Sequence, residues 1–126
     1  MRIEWKDSFK VGNADIDSQH EQWFEEINQF LEATQKEDLI LCEMQMYRYT
    51  RVHFAHEESL MKRIGYPDLQ SHVEQHNKLV AKLNEIAVQI ADDTLDLQVW
   101  KTFLSGWLME HIGTTDAKLA DYVRNN

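Results

Sequence analysis

His53-x-x-x-Glu57 and His72-x-x-x-His76 each set two metal-ligating side chains four residues apart. At ~100° per residue, the members of such a pair lie about 40° apart and one turn up the same helix face. Each pair therefore aims two ligands at one point. One pair alone is a weak signal, but His20 and His111 fall on the apolar stripes of two further segments. A lone histidine on an apolar face is ordinarily a core residue with one satisfied hydrogen bond. Five on the inner faces of four segments are another matter, because an unpaired buried polar group costs on the order of 1–3 kcal/mol. One shared partner, a metal ion, satisfies all five.

The sixth histidine serves as an internal control. His56 lies about 60° off His53 on a helix, on the side away from Glu57, which predicts a rim or surface position. Asp116 follows His111 by five residues, ~140° away on an unbroken α-helix. Gly113 with Thr114-Thr115 is expected to break the helix and return Asp116 to the site; the alternative is a plain N-cap of a terminal stub. Rival chemistries fail on spacing. His56-Glu57 is not followed by the second histidine of a zinc protease. No histidine has Glu three residues before it, as ferritin-like di-iron oxidases require. Cys/His zinc spacing, a glycine-rich phosphate loop and a nucleophile with an obvious base are missing from the sequence. A structural zinc bundle stays open, since spacing alone does not separate zinc from iron.

Four helical blocks must position these residues. The first is expected from a capping-box pattern, Ser18-x-x-Glu21, to about Lys36, with His20, Trp23, Phe24, Ile27, Phe30 and Leu31 inward. The second runs from about Asp38 to Ile64 and stops at Gly65-Tyr66-Pro67. The third follows Asp68 as N-cap and ends near Ala91. The fourth carries Leu97, Trp100, Leu104, Trp107 and His111 and stops at Gly113, leaving a short stub to about Val123. With short loops this predicts an all-α fold, an antiparallel up-down-up-down four-helix bundle with an N-terminal arm (residues 1–17) and a C-terminal helical stub. Residues 1–126 read as a single domain.

Composition narrows the function. With 13 Lys+Arg against 22 Asp+Glu, the net charge of −9 disfavours nucleic acid, which requires basic patches. The first residues lack the apolar core of a signal peptide, and no run of ~18 apolar residues reads as a membrane span. The single cysteine, Cys42, suits a reducing compartment, so a cytoplasmic location is expected.

Several stretches also carry a family resemblance. Val11-Gly12 with Ile16-Asp17-Ser18-Gln19-His20, then His53-Phe54-Ala55-His56-Glu57-Glu58-Ser59-Leu60-Met61 with Gly65-Tyr66-Pro67, then His72-x-x-x-His76 and His111-Ile112-x-x-x-Asp116, resemble those of bacterial hemerythrins. The resemblance spans residues 5 to about 120. It implies a single hemerythrin-like domain with a non-haem di-iron centre, carboxylate- and oxo/hydroxo-bridged, that binds O₂ reversibly. By that analogy His72, His76 and His111 hold one iron, His20 and His53 the other, and Glu57 and Asp116 bridge both. O₂ is then expected at the two-histidine iron. Trp23, Phe54, Trp107, Leu108 and Ile112 resemble the family's apolar O₂-pocket lining, although the same stripe also serves as core. Trp23 departs from the smaller aliphatic residue common there. The function implied is oxygen carriage, storage or delivery rather than catalysis, since no residue beside the site is an obvious proton donor. The alternative is an O₂ or redox sensor, since the family's domain also occurs fused to signalling modules; its partner is then an output domain or protein.

Overall fold

In the computed structural model, residues 2–125 are described; Met1 and Asn126, the ends of the expected domain, lie outside them. Four long helices form: α1 (Ala14–Glu32), α2 (Lys36–Arg63), α3 (Leu69–Ala91) and α4 (Leu97–Glu110). A π-helical turn, His111–Asp116, carries α4 into α5 (Ala117–Asn125). No strand occurs among the described residues. The three loops between the long helices are short, so consecutive helices run antiparallel.

Local signals set the boundaries, and not always the expected ones. α1 begins four residues before Ser18, because the Asn13 side chain accepts a hydrogen bond from the Ile16 N–H at 3.1 Å and caps the helix there. Ser18 and Glu21 lie inside α1, so their capping-box spacing marks no terminus. Asp17 accepts from the Val11 N–H at 2.7 Å, and buried Asn28 pairs with both the N–H and the carbonyl of Ile3. These bonds fasten the N-terminal arm along α1, where Trp5 packs edge-on against Phe9 and Phe24.

α2 ends where Gly65 adopts φ +67°, a conformation that favours glycine. The Tyr66 N–H reaches the Met61 carbonyl and the Gly65 N–H that of Lys62, the paired bonds of a Schellman cap. Asp68 occupies the N-cap position of α3 without a side-chain capping bond. α4 does not stop at Gly113: the helix widens instead of breaking.

The core has three parts along the bundle axis. At the loop end, Phe30, Leu31, Leu39, Ile86, Ile90 and Leu104 belong to one buried apolar cluster. At the opposite end, Ile16, Leu60 and Ala120 form a second cluster, and Met61, Tyr66 and Leu119 a third. On α1 and α2 the polar residues of the site fall between these layers. Lys101, buried near the loop end, donates to the Ala33 carbonyl at 2.9 Å and ties α4 to the end of α1.

Glu43 is the exception at that end, 5 % exposed with Oε1 lacking a hydrogen bond. Burial pushes its carboxyl up from 4.5 to about 7. The folded state therefore holds a proton that the unfolded chain releases near 4.5, so stability falls as pH rises from about 4.5 to 7. Glu43→Gln is expected to stabilise the protein by on the order of 1–2 kcal/mol at pH 8 and to change little at pH 4.5. Denaturant titrations at both pH values, with iron content held fixed, check this; equal effects at the two would overturn it.

Candidate metal centre

Each long helix contributes. α1 supplies His20, α2 His53 and Glu57, α3 His72 and His76; His111 closes α4 at the start of the π-helical turn, and Asp116 ends that turn. None of the seven is more than 3 % exposed. The two i,i+4 pairs lie on inward faces, as their spacing predicts. The His111–Asp116 pair meets by a different route from the expected break. A turn closed by i→i+5 hydrogen bonds takes more residues per revolution, which returns residues five apart to one face, and such turns concentrate at functional sites. Asp116 Oδ1 consequently lies 3.3 Å from His111 Nε2.

The carboxylate oxygens divide the histidines. Glu57 Oε1 lies 2.7 Å from His72 Nε2 and 3.1 Å from His76 Nε2, while Oε2 lies 3.2 Å from His20 Nε2 and 3.5 Å from His53 Nε2. Asp116 repeats the division. Its Oδ1 faces His72 at 3.1 Å as well as His111, and its Oδ2 faces His20 at 3.4 Å. His72, His76 and His111 thus gather on one side of the carboxylates, and His20 and His53 on the other. Two clusters of donor atoms able to hold a cation result, one of Glu57 with His72, His76 and His111, the other of Glu57 with His20 and His53.

Burial and charge oppose each other here. Burial pushes the Glu57 carboxyl up, but the His20, His72 and His76 imidazoles close beside it hold it well below the usual carboxylate range. Burial and the Glu57 charge raise Asp116, yet His111 and His72 bring it down to about 2. Burial, helped by the neighbouring His20 and His76, drives His53 down to about 3 against the pull of Glu57 and Asp116. Burial also lowers His72, but Asp116 and Glu57 together lift it to about 9.

The buried atoms Nε2 of His20, His53, His72 and His111, Glu57 Oε2 and both Asp116 oxygens lack a well-formed hydrogen bond. They converge on one interior region, where the uncompensated cost would be large. Cations resolve that conflict, and an all-imidazole, all-carboxylate donor set suits iron or zinc. The residues fit a two-metal centre.

Outside the cluster, acceptors hold three of the rings. His53 Nδ1 lies 3.1 Å from Gln19 Oε1, His76 Nδ1 2.9 Å from Glu58 Oε2, and His111 Nδ1 3.0 Å from Gln75 Oε1. With the proton on Nδ1 donated outward, each Nε2 presents its lone pair inward. Thr115 donates to the same Gln75 oxygen at 2.7 Å. Sequence reasoning missed Gln19, Glu58, Gln75 and Thr115. Their one shared signal is adjacency, since all four flank a site residue in sequence.

Aromatic rings pack against the imidazoles. Phe54 stacks on His76 with centroids 3.6 Å apart, and Trp107 on His111 at 4.5 Å. Trp23 is fully buried against His53 (5.1 Å) and His20 (6.2 Å), its indole N–H donating to Thr50 Oγ1 at 2.8 Å. Leu108 and Ile112 are buried in the same apolar cluster, while Trp107 is partly exposed at its edge. His56 is exposed, as its helical angle predicts.

A match to the family model for the hemerythrin HHE cation binding domain covers residues 11–123. The chain belongs to the hemerythrin family. It is 35% identical to a bacteriohemerythrin of Pseudomonas aeruginosa over 98% of this chain and 83% of that protein. A myohemerythrin of Riftia pachyptila is 30% identical over 90% and 88% of the two chains. The fold superimposes on a wild-type hemerythrin crystal structure with a TM-score of 0.86 at 22% identity, covering 94% of this chain and 95% of that one. The function of this hemerythrin domain is O₂ binding at a non-haem di-iron centre. Among the described residues, no helix is long and apolar enough to cross a membrane.

One prediction concerns loading. With His72 lifted to about 9, its imidazole carries a proton at pH 7 that coordination must displace. Its charge supports the iron-free fold fully below 6.5, and that support is lost as pH rises through about 9. Anaerobic Fe(II) uptake at pH 7 is expected to release protons, with apparent affinity rising with pH and flattening above about 9. A pH indicator in weakly buffered solution reads the release; uptake without protons would contradict it.

Proposed function

We propose that the seven buried residues hold two irons, with His72, His76 and His111 on one, His20 and His53 on the other, and Glu57 and Asp116 bridging both. The observation that carries this reading is the division of the carboxylate oxygens between three histidines and two. The ferrous pair, when bound, supplies the electrons that make O₂ binding possible. This chain's own residues orient the ligands and keep the surroundings dry. Gln19, Glu58 and Gln75 fix three imidazoles with Nε2 inward. Trp23, Phe54, Leu108 and Ile112 line the O₂ side with buried apolar surface, and Trp107 closes its edge. The Trp23 N–H is committed to Thr50 and donates nothing to the site. A pocket of this kind favours reversible binding over turnover, because water and loose protons promote autoxidation. We therefore read the domain as an oxygen carrier, store or delivery protein rather than an enzyme. The single cysteine, Cys42, favours the reducing cytoplasm as its location.

The test is the visible spectrum of the Fe(II) protein before air, after air, and after O₂ is removed. Charge-transfer bands that appear and then vanish support carriage. Rapid one-way oxidation would replace it with redox sensing through a partner, and a protein that takes up no iron would end the reading.

A further inference from the structure

The sixth histidine, outside the ligand set, touches the site through one intermediary. Gln19, on α1, lies between two histidines of α2: its Oε1 is 3.1 Å from His53 Nδ1, and its Nε2 is 2.5 Å from His56 Nδ1. Gln19 and His56, but not buried His53, line a surface groove of roughly 180 Å³ together with Ser59 and Arg63. A glutamine amide has nearly the same shape in its two orientations, so only its hydrogen-bond partners choose between them. Facing His53, the choice matters. With the carbonyl toward it, His53 keeps its proton on Nδ1 and offers the Nε2 lone pair to a metal. With the amide reversed, the NH₂ group donates to Nδ1 and moves the His53 proton to Nε2. That atom lies 3.5 Å from Glu57 Oε2, and a proton there blocks coordination.

We propose that His56 is a positioning residue for the two-histidine metal site. Its Nδ1 accepts from the Gln19 amide, selects the carbonyl-inward orientation and thereby fixes His53 as a ligand. The proton of the His56 ring then sits on Nε2. This rests on the assignment of His53 as a ligand, and it gives the exposed groove a hold, through Gln19 and His53, on one of the two irons. The histidine that spacing sets aside as a bystander thus acts through Gln19.

The test compares iron release from the loaded protein to a ferrous chelator under anaerobic conditions, for wild type, His56→Leu, His56→Asn and Ser59→Ala. His56 and Ser59 are exposed, so the variants fold. Leucine offers no acceptor, and one of the two irons is expected to leave about 3- to 10-fold faster while the other keeps its rate. Asparagine places a carbonyl where Nδ1 stood and restores release to within about twofold. Ser59→Ala, in the same groove, stays at the wild-type rate. Equal release from wild type and His56→Leu, or no rescue by asparagine, overturns the proposal. Wild-type protein that binds fewer than two irons overturns the ligand assignment, and the proposal with it.

Discussion

Replacing Glu57 by alanine is expected to empty the protein of iron, from about two per chain to a small fraction of one. Among the described residues, no other side chain reaches four of the imidazoles, two through each oxygen. Its loss removes a ligand from both clusters and half of the bridging charge. Two dications would then have only Asp116 to offset them in a desolvated interior, where unbalanced charge is expensive. Helix content should hold, because the apolar layers on either side are untouched. Glu57→Gln separates charge from shape: it keeps one carbonyl oxygen, loses the bridge, and is expected to retain at most about one weakly held iron. Metal analysis with far-UV circular dichroism decides; a Glu57→Ala protein carrying two irons would sink the assignment.

The second large effect is expected at Trp23. Its side chain is fully buried, so Trp23→Ala should cost about 3–5 kcal/mol through lost burial and the cavity left behind. The same change strips the packing from His53 and His20 and leaves the Thr50 hydroxyl without its donor. Water can then enter beside the two-histidine side, and autoxidation is expected to quicken by an order of magnitude or more. Trp23→Phe divides the two causes. It keeps most of the ring and removes the N–H, so stability should fall by about 1–3 kcal/mol while autoxidation rises less. Denaturant titration gives the first quantity and decay of the visible bands in air the second. Unchanged autoxidation in Trp23→Ala would show that this indole does not guard the site.

Much of this could be read from spacing, and the failures have physical causes. The pairs His53/Glu57 and His72/His76 were legible because an α-helix converts a four-residue interval into a shared face. Placing Asp116 in the site was legible too, but the means was not. A π-helical turn leaves no mark in a spacing argument, and Gly113 read as a terminator where the chain only widens. The start of α1 was misplaced because Ser18 and Glu21 mimic a capping box while the cap itself is made by Asn13, beside a fastened arm. Gln19, Glu58 and Gln75 were invisible for a deeper reason. Each is adjacent to one site residue yet bonds a histidine on another helix, and that depends on the relative rise of two helices.

Those three bonds run in sequence around the bundle. His53 of α2 leans on α1, His76 of α3 on α2, and His111 at the end of α4 on α3. Each helix is thereby laced to its predecessor at the height of the metals, by groups that do not include the metals. Capture of iron is then closer to docking into a finished socket than to folding around a seed. Little conformational entropy remains to be lost when the ions arrive. Helix pairing at that height therefore rests on side chains as well as on ions, in a domain whose ligand, O₂, is itself an oxidant.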